Sequence, residues 1–115
     1  MKANINTVKN LIAQIIKDLL LLMKTYHPFS NRVTICLNDY LKTYKIEPDD
    51  YNDVLALTSK EIASHRISRD SEGDVQSTIS VFPHVSSSKK NDKYLLEVKF
   101  NPIVFDYFYH QPTKM

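Results

Sequence analysis

The first quarter of the chain alternates apolar and polar residues with the period of an α-helix. Between residues 4 and 25, apolar side chains recur at intervals of three and four residues, which is the spacing of one helix face. Further apolar residues make this face unusually broad. The pattern predicts one long amphipathic helix, which is either covered on two sides within the domain or partly exposed and available to a second subunit.

Shorter elements follow this helix. Residues 32–37 alternate apolar and polar side chains, which predicts a strand, and Asn38 is predicted to cap a short helix over residues 39–44. Apolar spacing then predicts a third helix over residues 50–64. A capping box at residues 58–61 offers a rival start, but the apolar spacing runs through it and favours a single helix.

The last third of the chain has the period of β-strands. Two alternating segments, residues 74–85 and 93–100, flank a polar tip at residues 86–92, which predicts a long β-hairpin. Residues 68–74 are predicted to be a polar loop. The order of elements predicts an α+β fold, a single winged helix with a long N-terminal helix and a C-terminal β-hairpin wing, over residues 1–115 as one domain.

Composition narrows the class of protein. The chain has one glycine, Gly73, so the glycine-rich loops that cradle nucleotide phosphates are excluded. One cysteine, Cys36, permits no internal disulfide and is typical of a reducing cytoplasm. The longest uninterrupted apolar run is residues 19–23, far below the roughly 20 residues that span a bilayer. We therefore expect a cytoplasmic protein without a membrane partner.

The sequence contains no pattern that is typical of catalysis or metal binding. The four histidines do not stand at metal-ligand spacing with one another, with the cysteine or with carboxylates. No nucleophile elbow or paired catalytic motif is present. We expect no catalytic residue, no metal and no cofactor, and hence a protein that is not an enzyme.

Lysines at the predicted hairpin tip are candidates for DNA contact. Lys89, Lys90 and Lys93 lie in or beside the polar tip, and phosphate contacts need cations on a projecting element. The alternative interpretation is a solvated tip, with Asp92 offsetting the charge. A net charge of only +2 indicates that any DNA contact is modest or relies on a local patch.

The third helix would be the recognition helix of a winged helix. Asn52 and Lys60 are expected to point outward, where such side chains can read base edges, and Arg66 follows the helix as part of a basic edge. Three aspartates crowd the helix start and would repel phosphates: Asp49, Asp50 and Asp53. A capped and solvated helix is therefore the competing interpretation.

Three segments resemble the first winged-helix domain of plasmid replication initiator (Rep) proteins. They are VTICLNDYL at residues 33–41, YNDVL at residues 51–55 and LEVKFNPIVFDYF at residues 96–108. The resemblance implies a role in the initiation of DNA replication, with double-stranded DNA as partner and a host replication protein as a further one. Such initiators usually carry a second winged helix, so a lone first domain would be a dimerisation module, a truncated initiator or an unrelated protein with the same fold.

A homodimer is the expected assembly. The long helix and the aromatic residues after Pro102 are the predicted interface, with Leu20, Phe105 and Phe108 as its anchors. Two other functions stay open, a small interaction or regulatory protein of a mobile element without nucleic-acid affinity, and a winged-helix transcription regulator. The low net charge favours the interaction protein over the initiator, whereas the C-terminal resemblance favours the initiator.

Overall fold

A computed structural model of the chain describes residues 1–26, 31–70 and 76–104. The fold is α+β, as predicted. Its helices are α1 (Ile5–Tyr26), α2 (Asn38–Thr43), a 3-10 turn (Pro48–Asp50) and α3 (Tyr51–Ala63). Its strands are β1 (Arg32–Cys36), β2 (Arg66–Asp70), β3 (Gln76–Ser80), β4 (His84–Lys90) and β5 (Lys93–Lys99).

Helix α1 confirms the long helix and shows which part of its broad face is buried. Its fully buried residues lie on one side and belong to the main core: Val8, Leu11, Ile15 and Leu19. The flanks of this stripe are open, because Ile5 is 49% exposed and Leu21 is 64% exposed. The helix is therefore covered along one stripe, and apolar side chains beside it remain accessible to water.

A three-stranded antiparallel sheet, ordered β1-β5-β4, packs against the helices. Strand β5 is central and alternates as the sequence predicts. Tyr94, Leu96 and Val98 point into the core, whereas the residues between them are only half-buried. Helix α3 packs against β4, and α1 packs against α3. The helices thus cover one face of the sheet.

The segment between α3 and β4 differs from the prediction. The predicted loop is wrong at residues 68–70, which belong to β2, and β2 pairs with β3 in a separate two-stranded ribbon. The single strand predicted over residues 74–85 is also wrong, because it is interrupted after Ser80. Val81 and Phe82 are both fully buried. Consecutive strand residues point to opposite faces, so both can reach the core only if the strand breaks.

The hairpin β4–β5 is confirmed, but its tip is shorter than predicted. Residues 86–90 belong to β4, and the turn consists of Asn91 and Asp92 alone, with φ angles of 50° and 64°. Two-residue turns of this kind need positive φ at both positions, which Asn and Asp tolerate better than most residues. The lysines therefore flank a tight turn instead of lying in a loose polar loop.

The predicted capping role of Asn38 is wrong. Leu37 occupies the N-cap position of α2, and no side chain caps it. The Asn38 amide instead donates to the carbonyl oxygen of Asp92 and accepts from the backbone N–H of Tyr94, both at 2.9 Å. The Asn38 side chain therefore binds the hairpin turn instead of capping α2. The local sequence could not indicate this contact, because the turn is more than 50 residues away in the chain.

Candidate nucleic-acid interface

The three hairpin lysines lie on two different sides of the sheet. Lys90 is directly opposite Lys93, and Lys89 is directly opposite the inward-pointing Tyr94. Because direct cross-strand partners point to the same side, Lys89 lies on the helix side and the other two on the opposite side. The Lys89 Nζ is 5.3 Å from the centre of the Tyr94 ring, within the range of a cation–π contact.

Aromatic contacts place the start of α3 beside Lys89. The rings of Tyr51 and Tyr94 meet edge to face with their centres 5.3 Å apart. The predicted site residue Asn52 follows Tyr51 and is exposed in the first turn of α3. The series Lys89, Tyr94, Tyr51 thus links the hairpin tip to the first turn of α3, the turn that also contains Asn52.

The other two predicted residues lie towards the far end of α3. Lys60 is exposed eight residues after Asn52, about 12 Å along the helix axis. Arg66 is exposed at the first position of β2, opposite Ser80. The predicted DNA-binding residues therefore form separate groups and not one continuous patch.

Carboxylates at the start of α3 limit what this helix can bind. Asp50 is 4% exposed, and its Oδ1 accepts the backbone N–H of Lys2 at 3.1 Å. Its Oδ2 has no hydrogen-bond partner among the described residues. Asp49 and Asp53 are exposed, and Asp53 lies next to Asn52. The exposed side of α3 is therefore of mixed charge and poorly suited to phosphates.

The sheet has a second face, pointing away from the helices, which we call the outer face. It consists of Arg32, Thr34 and Cys36 of β1, Lys93, Leu95, Glu97 and Lys99 of β5, and His84, Ser86, Ser88 and Lys90 of β4. None of these side chains is buried. Arg32, Lys99 and His84 form one cross-strand row, and Lys90 and Lys93 form another at the hairpin tip.

Sequence reasoning did not group Arg32, His84 and Lys99. The alternation of β5 placed Lys99 on a polar face, but the two neighbours of Lys99 depend on the register of β1 and β4 against β5. One ion pair crosses this face, with the Arg32 Nε 3.6 Å from the Glu97 Oε1. Both partners are substantially exposed, so the pair contributes little stability.

A cleft of about 430 Å³ lies between α1 and α2. Within it the Tyr40 hydroxyl donates to the Asp18 Oδ2 at 2.5 Å, and the Gln14 Nε2 donates to the Asp18 Oδ1 at 2.9 Å. Burial, and next the bond to Asp18, raise the pKa of Tyr40. The phenol is therefore held as a hydrogen-bond donor. Cys36 also lines this cleft, and its thiol donates to the Asn38 Oδ1 at 3.3 Å.

The predicted dimer residues are only partly described. Leu20 is half-buried and packs against the main core, whereas Phe105 and Phe108 lie outside the described residues. An apolar groove of about 290 Å³ runs between α1 and α3. It is lined by Ile5, Lys9, Ile12, Ala13, Ile16, Leu57 and Glu61. This groove is a further candidate for contact with another chain.

No protein-family model, curated protein or solved structure matches this chain. Within residues 1–26, 31–70 and 76–104, no helix has the length and apolar character needed to cross a bilayer. The same residues contain no group of three or more His, Cys, Asp or Glu side chains placed to hold a metal ion. The function of the chain is therefore inferred from the arrangement of the described side chains.

Proposed function

We propose that this chain is a DNA-associated winged-helix domain of the plasmid replication initiator type, which acts in the cytoplasm by binding duplex DNA and by dimerisation. The observation that carries the proposal is the β4–β5 hairpin, whose tight turn is flanked by the exposed cations Lys89, Lys90 and Lys93. A lysine-bearing hairpin at the end of a three-stranded sheet is what a wing needs in order to contact a DNA backbone.

The topology supports this proposal. Strand β1 follows the long helix, two helices come next, and the hairpin pairs with β1 through its second strand, β5. This is the order expected of a winged helix. The β2–β3 ribbon is then an insertion between α3 and the wing, and its base is closed by the bond from the Val81 N–H to the His65 carbonyl oxygen, 3.1 Å.

The proposed mechanism is positioning. Ammonium groups near the hairpin turn neutralise phosphates and release counterions, which provides affinity without sequence information. No bond is made or broken in this function.

Fluorescence anisotropy at low salt tests the proposal by measuring the binding of the wild-type chain to a labelled duplex of mixed sequence. The variant Lys89→Glu/Lys90→Glu should bind more weakly, by on the order of tenfold for each phosphate that is no longer neutralised. The control Lys17→Glu/Lys42→Glu makes the same change of charge at exposed positions of α1 and α2 and should weaken binding much less. Equal effects in the two variants would contradict a role for the hairpin.

A second candidate function is that of a protein-interaction module without nucleic-acid affinity. The apolar groove between α1 and α3 favours it, because Ile5 is 49% exposed at one end and Leu57 is half-buried in its wall. Light scattering tests this candidate. A wild-type dimer that dissociates in Ile5→Glu but persists in Leu21→Glu, a change outside the groove on the same helix, would support it. If the wild-type chain is a monomer at high concentration, self-association through this groove is excluded.

A further inference from the structure

We propose that the outer face of the sheet, and not the exposed side of α3, is the surface that holds the backbone of double-stranded DNA. This inference rests on the proposed DNA association and specifies where it occurs. It adds Arg32, His84 and Lys99 to the binding surface and assigns Lys60 no part in it.

Charge is distributed unevenly between the outer face and the rest of the chain. The outer face carries four cations, Arg32, Lys90, Lys93 and Lys99, against one carboxylate, Glu97. The whole chain has 15 Lys and Arg and 13 Asp and Glu, which leaves eleven cations and twelve carboxylates elsewhere. The positive excess of the chain is therefore concentrated on this face, and a local excess of this kind determines where a polyanion binds.

Like charges are paired across the strands of the outer face. Lys90 is directly opposite Lys93, and Arg32 is directly opposite Lys99. Like charges in this arrangement repel and weaken a sheet. The Arg32–Glu97 ion pair already offsets part of the repulsion between Arg32 and Lys99. A polyanion lying across the hairpin tip would neutralise Lys90 and Lys93, so relief of their repulsion would add to the binding of DNA.

The two cationic rows lie at opposite ends of the outer face. Lys93 and Lys99 are six residues apart on β5, which corresponds to about 20 Å of strand. The major groove of DNA is about 12 Å wide. The separation of the rows exceeds the width of the groove, so each row can contact the backbone on one side of it. The hydroxyls of Ser86 and Ser88 lie between the rows and can donate to phosphate or water.

The composition of the outer face also distinguishes duplex from single strand. Non-specific binding of unpaired bases uses aromatic side chains as stacking platforms. Among the outer-face residues of the described strands there is no Phe, Tyr or Trp. The face offers cations and hydroxyls, which suit a duplex whose bases are already stacked.

The inference is tested by measuring the affinity of three single variants of the full chain for a fluorescein-labelled 20-bp duplex at about 50 and 200 mM salt. Each variant lacks one cation. Lys93→Gln and Lys99→Gln should each weaken binding by on the order of tenfold at the lower salt and reduce the slope of log K against log salt by about 1. Lys60→Gln removes the same charge from α3 and should change affinity by less than about twofold. Equal reductions of affinity in all three variants would overturn the assignment.

A gain of affinity separates binding from folding defects. Glu97→Gln removes the carboxylate of the outer face and should tighten binding by several fold, an effect that a poorly folded protein would not show. No binding by the wild-type chain at low salt would overturn the proposed function together with this inference. Wild-type binding that is unchanged in Lys99→Gln and Glu97→Gln would overturn the inference alone, and tighter binding to the single strand than to the duplex would overturn the choice of partner.

Discussion

Asn38 joins two parts of the molecule that are far apart in sequence. Its amide lies between the start of α2 and the hairpin turn, and it makes two hydrogen bonds to backbone groups of residues 92 and 94. A side chain that satisfies both a carbonyl and an N–H group fixes their separation. Asn38 therefore fixes the position of the β4–β5 turn relative to α2 together with the bond from the Leu37 N–H to the Tyr94 carbonyl oxygen, 2.8 Å.

Replacement of Asn38 should destabilise the fold. Asn38→Ala leaves the Tyr94 N–H and the Asp92 carbonyl without these partners, and we expect a decrease of about 1–3 kcal/mol in the free energy of unfolding. Urea denaturation followed by circular dichroism measures it. Asn52→Ala makes the same change at an exposed position and should alter stability by less than about 0.5 kcal/mol. Similar decreases in the two variants would show that the hydrogen bonds of Asn38 are energetically unimportant.

Tyr40 should make stability depend on pH in the alkaline range. The pKa of an unperturbed tyrosine is about 10, and burial together with the bond to Asp18 raises the pKa of Tyr40 in the folded state. The unfolded chain therefore loses this proton first, so the contribution of Tyr40 is complete below pH 10 and declines as pH rises above it.

Urea midpoints measured from pH 8 to pH 11 check this dependence. Tyr40→Phe should be less stable than the wild type at pH 8, because it lacks the bond to Asp18, and should lose less stability between pH 9 and 11. Tyr51→Phe keeps the Tyr40–Asp18 pair and should retain the wild-type slope. A Tyr40→Phe protein with an unchanged slope would rule out this residue as the source.

Among the elements, helix α1 combines a buried stripe with open apolar flanks. Leu19 and Leu21 illustrate the difference, because they are two residues apart and are 0% and 64% exposed. Two residues correspond to about 200° of rotation around a helix, so the two side chains point to opposite sides. The breadth of the apolar pattern alone could not separate them.

Truncation of these two leucines should have very different effects. Leu19→Ala creates a cavity in the core and should lower the free energy of unfolding by about 2–5 kcal/mol. Leu21→Ala, the matched change on the same helix, should lower it by less than about 0.5 kcal/mol. Chemical denaturation of both variants measures the difference. A large decrease in Leu21→Ala would mean that another chain or segment covers this side chain.

Local periodicity was sufficient for α1, β1, α3 and β5, because each buries one face along its length. It failed for β2, whose sequence Arg-Ile-Ser-Arg-Asp has a single apolar residue. That strand exists through its pairing with β3, which is not a local property. The candidate site shows the same limit. The hairpin lysines are visible in the sequence, but the side of the sheet on which each lies follows from the register of β4 with β5.

For the molecule as a whole, the net charge is small but the charged residues are distributed unevenly over the surface. The net charge of +2 suggested weak interaction with DNA, yet cations gather on the outer face while the start of α3 carries carboxylates. A molecule of this kind has a preferred orientation towards a polyanion even though its total charge is low. In the proposed complex with DNA, the number of neutralised phosphates is then determined by the outer face.

The salt dependence of duplex binding should reflect that number. Four outer-face cations bound to phosphates predict a slope of log K against log salt of about −3.6, or a decrease in affinity of roughly 100-fold between 50 and 200 mM salt. Anisotropy titrations at five or more salt concentrations measure the slope. A value near −1 would mean that the face neutralises a single phosphate, and a slope near zero would exclude an electrostatic interface.

The pairing of β1 with β5 also has a consequence for the synthesis of the protein. Val33 and its partner Val98 are 65 residues apart, and a ribosome adds about 5–20 residues per second. Strand β1 is therefore synthesised roughly 3–13 s before its partner β5, and α1, which precedes β1, remains without the central strand of the sheet for longer. During that interval Val8, Leu11 and Ile15 have no sheet to cover them, so the nascent chain presents a ready target for chaperones that recognise exposed apolar helices.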